Sequence, residues 1–283
     1  MTVDDVALLA VVVPPWYLIR GDPDVGSVTE PYPVWRRTLF GSVRREGMLS
    51  LEMAWRHLLF ENWPVAPDLV DAHLPPSLSA DRHDGRAWLS VVPFTNAAVR
   101  PKGLPRAVGV RLPEVNVRTY VTHDGVPGVY FFSLDAQGLA SVVGARLSFH
   151  LPYYYARASL DVADGRVAFT SRRRHPGARP ARYEATYWPT GEPFDAREDS
   201  LAAFLVERYR FYTESPDGTL RYTEVSHDPW TLYPAEATVE CDTLLRADGF
   251  RRPETEPVYY YSPGLDVVAS PSLRADEGEH SGS

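Results

Sequence analysis

The segment EVNVRTYV, residues 114–121, places an acid, an amide, a base and a phenol at every second position: Glu114, Asn116, Arg118 and Tyr120. Alternate side chains of a strand share a face, so these four line one side while Val115, Val117, Thr119 and Val121 line the other. Such a row has chemical uses. A guanidinium grips a carboxylate with paired hydrogen bonds. A buried glutamate becomes a proton donor or acceptor near neutral pH, and a phenol polarises a carbonyl. The bland alternative is a half-solvated strand whose polar side faces water.

The neighbouring strand bears on that choice. Residues 122–128, THDGVPG, read as a turn, and GVYFFSLDA (128–136) follows as the hairpin partner. Tyr130, Phe132 and Leu134 fall on one face, and Val129, Phe131, Ser133 and Asp135 on the other. Both faces begin apolar, which predicts cover on both sides. The Glu114 row then faces an interior or a cleft. Glu114 and Arg118 are about 13 Å apart along the strand, too far to pair directly.

Other constellations are weaker. FHLPYYYARA (149–158) carries three tyrosines after Pro152, either as packing or as the wall of a site. His150 is near Tyr153 in sequence, but strand alternation sends the two to opposite sides. The eight histidines show no HxH or HExxH spacing, and with Cys241 as the only cysteine no Cys-based zinc site is available. We expect no metal and no cofactor, since GxGxxG and P-loop patterns are absent too. Ser133 has no GxSxG elbow. His227, in HDPW, reads as a structural hydrogen-bonding residue. Glu207 and Arg208 read as structural pairs, with Arg208 able to reach a cavity. RRRHPGARPAR (172–182) is a local basic run, read as a solvated hairpin end that can touch phosphates.

The totals narrow the classes. With 283 residues, 44% hydrophobic and 12% aromatic, the chain can build a substantial core. Its formal charge of −8 disfavours nucleic acid and anionic membranes. The longest apolar run, residues 6–13, is too short to span a bilayer and follows Asp4 and Asp5 without a basic n-region. A cytoplasmic location is expected from these features and the lone cysteine.

The elements that must position the row are mostly strands. RAWLSVVPF (86–94), the 114–136 hairpin, a hairpin about Asp164-Gly165, ARYEATYW (181–188) and LRYTEVSH (220–227) carry strand patterns. Helices are expected at 199–212, capped by Asp199 or Ser200, at 234–249, stopped by Gly249, and briefly at 67–74. LEMAWRHLLF (51–60) fits either state. Residues 1–47 are an N-terminal arm or an over-called start before Met48. Residues 48–268 form one domain, and 269–283 read as a disordered tail. The fold class is α+β: mainly antiparallel sheet rolled into a cone or partly open barrel, with a few flanking helices.

PEVNVRTYV, GVYFFSLDA, FHLPYYYARA, HLLFENWPV (57–65), HLPPSL (73–78), ERYRFY (207–212), HDPW (227–230) and YSPGLDV (261–267) together resemble the YqjF-like family of uncharacterised proteins, over about residues 50–268. That family is similar in fold to the acetoacetate decarboxylases, which implies a rolled sheet with a central cavity. In those enzymes a strand glutamate precedes a Gly-Arg-Glu-like segment and a proline followed by two lysines, one of which forms a Schiff base. Here GAR (144–146) leads to Pro152, and Tyr153 and Tyr154 stand at the lysine positions, with Glu114 at the strand glutamate. The resemblance therefore implies a site without its amine, since tyrosine cannot form a Schiff base. Lys102, the sole lysine, lies in a Pro/Gly-rich loop. The expected ligand-binding set is Glu114, Asn116, Arg118, Tyr120, Tyr130, Arg146, Tyr153 and Tyr154, with Glu114 and Tyr153 as candidate catalytic groups. The expected partner is a small, anionic molecule such as a carboxylate, in a chain able to form homo-oligomers. Two other readings stay open: an enzyme acting on a keto acid or enol, and a structural or partner-binding module.

Overall fold

The computed structural model describes residues 50–138, 149–197 and 200–277. The expected N-terminal arm, Arg146 and residues 278–283 lie outside them.

The described chain is mostly strand: β1 (Leu51–Val65), β2 (Ser79–Ala80), β3 (Ala87–Pro101), β4 (Val110–His123), β5 (Val126–Ala136), β6 (Tyr153–Ala163), β7 (Arg166–Arg173), β8 (Arg182–Pro189), β9 (Phe194–Asp195), β10 (Arg210–Glu214), β11 (Leu220–His227), β12 (Thr231–Asp242), β13 (Val258–Ala269) and β14 (Leu273–Arg274). Three short helices accompany them: α1 (Pro67–Asp71), α2 (Leu201–Val206) and α3 (Leu244–Ala247). The Asp124-Gly125 and Asp164-Gly165 pairs make their hairpins with positive φ at both residues, as a two-residue turn of this twist requires.

A wall of five strands in the order β13-β1-β3-β4-β5 organises everything else. Its two faces are closed by different strands. On one, β6-β7-β8-β12 runs from β5 round to β13, joined through Leu134↔Tyr153 to Ala136↔Tyr155 and through Tyr233↔Tyr261 and Pro234↔Tyr260. On the other, β10 and β11 link the same two strands, through Phe211↔Val129 and Val225↔Ala269. These closing ladders are only two or three residue pairs long. The result is a rolled, partly closed barrel with both faces of the central wall covered.

Covering both faces explains why β3 shows ten buried residues in succession from Ala87 to Asn96. The first face packs Leu59, Trp63, Leu89, Val91, Val115 and Val117 against Phe169, Tyr183 and Tyr187. The second packs Leu58, Phe60, Val92, Phe94 and Tyr120 against Leu205 and Val206 of α2 and against Trp230.

Four expectations need correction. The helix predicted over 199–212 ends at Val206. Ser200 caps it, its Oγ accepting from the Ala203 N–H at 3.1 Å, and the chain then turns into β10, where Arg210–Glu214 pair with β11. The 234–249 segment is strand to Asp242, with only Leu244–Ala247 helical. Its alternation of exposed Glu236, Thr238 and Glu240 with half-buried Ala235, Ala237 and Val239 is strand patterning that a helical count also tolerates. Part of the expected tail is ordered: Leu273 pairs with Tyr222, and Arg221 donates to Ser272 Oγ at 3.0 Å. The basic run is not wholly solvated, because strand alternation turns Arg173 inward between exposed Arg172 and Arg174.

Candidate functional site

Glu114 lies on the second face of the wall, between Phe94 of β3 and Ala136 of β5. It is 3% exposed. The turn at Leu151–Pro152 brings β6 in parallel to β5, with Leu134 N–H donating to Pro152 O at 3.1 Å. That register puts Tyr153 level with Leu134, itself level with Asn116. The Tyr153 hydroxyl donates to Glu114 Oε2 at 3.0 Å.

Burial pushes the Glu114 carboxyl up to about 8, while hydrogen bonds from Tyr153, Asn116 and Asn96 hold it from rising further. Burial, with Glu114 as neighbour, also keeps the Tyr153 phenol well above the ordinary range. At neutral pH Glu114 is therefore mainly a carboxylic acid, which donates as well as accepts. The Asn96 and Asn116 amides point donors at it, and their Oδ1 atoms are buried with no hydrogen-bond partner among the described residues.

Arg118, two positions beyond Asn116, is half-buried. Its guanidinium lies 5.3 Å from the Phe60 ring centre and 5.7 Å from that of Tyr120, and Nη2 donates to Leu205 O at 3.2 Å. Its Nε is buried without a partner, and no carboxylate among the described residues is at ion-pair distance. Tyr120 continues the row but is engaged: its hydroxyl meets Ser90 Oγ at 2.9 Å, and Ser90 donates to Asn62 Oδ1 at 2.6 Å. Arg208 reaches the Tyr120 end of the row, its guanidinium 5.3 Å from that ring centre, and it is paired there with Asp81 at 2.7 Å.

The structure thus brings Glu114, Asn116, Arg118, Tyr120 and Tyr153 to one face. It does not bring Tyr130 or Tyr154 there. A bulge after Val117, where Val117 faces Ser133 but Arg118 faces Phe131, splits β5. Leu134 stays with the Glu114 row, while Tyr130 and Phe132 turn to the opposite face. Strand alternation does the same to Tyr154, which stacks on Arg173, 4.0 Å from its ring centre. Lys102 is exposed in the β3–β4 hairpin. His227 stacks on Tyr209 and bonds Asp228 O.

Two buried polar groups carry no expectation from sequence. On the first face, Arg173 forms a two-point ion pair with Asp135 (2.7 and 3.0 Å), and Ser133 Oγ donates to Asp248 Oδ2 at 2.5 Å beside it. Burial raises Asp248 to about 6. Also on that face, Glu61 is fully buried, accepting from Tyr183 at 3.0 Å and approached by Arg252 at 3.5 Å. Burial and the nearby Asp242 push it to about 8. A charged residue inside LLFENWPV, on a strand apolar on both faces, is the signal that marks Glu61. A surface depression of about 370 Å3, lined by His123, Asp124, Thr219 and Arg274 among others, contains none of these groups. Among the described residues no three His, Cys, Asp or Glu side chains gather as a metal site, and no helix is long and apolar enough to cross a membrane.

The raised Glu114 has a signed consequence. Its folded value lies above the ordinary 4.5, so the native state favours the protonated form, and stability falls as pH rises from about 4.5 to about 8. Glu114→Gln, which mimics the neutral acid, should melt close to the native protein at pH 4 and above it at pH 9. Equal melting offsets at both pH values would show that Glu114 does not titrate late.

The rolled sheet with its two covered faces is the acetoacetate decarboxylase-like fold. The solved structure of the enduracididine biosynthesis enzyme MppR complexed with pyruvate superposes with a TM-score of 0.57 at 13% identity, covering 81% of this chain and 91% of that one. Acetoacetate decarboxylase from Legionella pneumophila superposes with a TM-score of 0.55 at 13% identity, covering 89% and 99%. At such identity the likeness concerns the fold alone. The DUF2071 family, described as an uncharacterized conserved protein, matches residues 52–266, and the chain belongs to it. The uncharacterized protein YqjF of Bacillus subtilis (strain 168) is 39% identical over 227 residues, covering 80% of this chain and 93% of the relative.

Proposed function

We propose that this protein binds a small carboxylate-bearing molecule on the second face of the wall, along Glu114, Asn116 and Arg118. The observation that carries the reading is the Arg118 guanidinium, held against Phe60 and Tyr120 with a buried Nε and no carboxylate partner among the described residues. A half-buried cation without a counter-ion is costly, and a ligand carboxylate offsets that cost. The other end of the row supplies a neutral acid and a phenol for a carbonyl or hydroxyl oxygen, with the two asparagine Oδ1 atoms as acceptors. The span of about 13 Å between the Glu114 and Arg118 backbones favours an elongated molecule over a three-carbon acid. Pyruvate in the MppR structure supports keto acids as the first compounds to try. Schiff-base chemistry is not part of the proposal: the resemblance puts Tyr153 and Tyr154 at the two lysine positions, and Lys102 is the only lysine in the chain.

Thermal shifts against keto acids, hydroxy acids and phenolic acids test this, because a ligand bound only to the native state raises its melting point. At least one carboxylate should stabilise the native protein by several degrees at saturating concentration, and Arg118→Ala should abolish the shift. A shift that persists unchanged in Arg118→Ala would refute the assignment.

A second reading, catalysis, is favoured by the Glu114 carboxyl near pH 8, which suits proton transfer to an enol or carbonyl. It predicts turnover of the compound that gives the shift, lost in Glu114→Gln while binding persists.

A further inference from the structure

The arginine-rich run is not used by the buried row. On the outer face of the β6-β7-β8 meander, Arg157 sits directly opposite Arg172, and Arg172 directly opposite Arg182. All three are exposed, as is Arg174 just beyond. Like charges in facing strand positions repel. Two such contacts in succession are placed here in a chain whose net charge is −8. Among the described residues, Arg182 is ion-paired with Glu184, whereas Arg157 and Arg172 have no carboxylate at ion-pair distance. The next row is Ser159, Thr170 and Glu184, so hydroxyls adjoin the arginines. Asp161 lies one row further, and Arg166 at the far end is occupied over Trp188, 3.8 Å from its ring centre.

The geometry limits what such a row holds. Strands about 4.8 Å apart put the outer two arginine backbones about 10 Å from each other. Flexible arginine side chains converge from that width onto two or three linked phosphates, each able to take a two-point guanidinium contact. A long polyanion would meet the repulsion of a chain whose net charge is −8.

We propose that Arg157, Arg172 and Arg182 form a surface site for a short polyphosphate chain, free or carried on a nucleotide. The site is independent of the Glu114 row.

The probes are sodium tripolyphosphate, ATP without metal, and citrate as a non-phosphate trianion. They are followed by melting and by calorimetric titration at low ionic strength, on the full chain and on Arg172→Glu and Arg157→Ser. Tripolyphosphate should raise the melting point and bind with its affinity reduced about tenfold or more by Arg172→Glu, the loss of one charge-assisted contact. Arg157→Ser should show a smaller loss. Without any anion Arg172→Glu should melt higher than the native chain, because two repulsions become two attractions, which also shows that the variant folds. ATP matching tripolyphosphate supports recognition of the phosphate chain alone, and tighter ATP binding supports a nucleotide. No stabilisation of the native chain, an undiminished effect in Arg172→Glu, or citrate equal to tripolyphosphate would overturn the proposal.

Discussion

Arg173→Met should lower the free energy of unfolding by about 3–5 kcal/mol, the range for removing one partner of a buried ion pair. Arg173 is 7% exposed and Asp135 is 1% exposed, and their contact is two-pointed. The same guanidinium lies 3.9 Å from Asp248 and stacks on Tyr154. Its loss leaves two buried carboxylates facing each other between β5 and the end of α3. The deficit should depend on pH. Asp248 already protonates at about 6 in the native state, above its ordinary 3.8, and loss of the cation raises both carboxyls further. Protonation then relieves the variant, so the deficit should shrink below pH 5 and be largest above pH 7. Urea titrations at pH 5 and 7.5 measure this. A deficit under 1 kcal/mol at pH 7.5 would mean that water reaches the pair. Asp135→Asn added to Arg173→Met should recover part of the loss.

Gly264→Ala should cost about 3 kcal/mol, enough to threaten folding at 37 °C. Gly264 sits in β13 at φ +113°, where a side chain is strained. An added Cβ would lie 1.9 Å from Trp55 O and 2.8 Å from Arg56 Cα, both backbone atoms that cannot swing away. The close approach lies on an in-register stretch of the β1–β13 ladder, Arg56 facing Gly264 and Leu58 facing Ser262, while on its other edge β1 shifts register against β3 between Arg56 and Glu61, with His57 at φ +56°. Trp55, whose carbonyl the added Cβ would strike, stands edge-on to Phe94, the cross-strand neighbour of Glu114, so its displacement should also weaken ligand binding. Thermal and urea unfolding report the stability. A loss below 1 kcal/mol would show that β1 and β13 can separate locally at little cost.

Much of the architecture was legible because its signals are local. The strict alternation of EVNVRTYV, the doubly apolar GVYFFSLDA and the Asp-Gly turns each depend on neighbours in sequence, and the wall and its hairpins follow from them. The Glu114 row was legible for the same reason. Segments 199–212 and 234–249 misled because their apolar residues satisfy both periods. Their state is decided by β5, β8 and β13, which offer unpaired edges far away in sequence. Tyr130 was misplaced by a bulge that no residue type announces. The Asp135–Arg173–Asp248 group joins positions up to 113 apart (135 to 248), so only the fold brings it together. Tyr153 was marked by its position after Pro152 in the decarboxylase comparison, and its hydrogen bond to Glu114 places it in the row.

The central claim is that Glu114 is a buried acid on a face that a carboxylate-bearing ligand enters. The most direct measurement is the carbon-13 NMR titration of the Glu114 side-chain carboxyl, assigned through Glu114→Gln, with and without the keto acid that gives the largest thermal shift. The account predicts a midpoint near 8 in the free protein that moves by more than half a pH unit when the ligand binds, and no such response in Arg118→Ala. A midpoint near 4.5, or one near 8 that no carboxylate displaces, would contradict it.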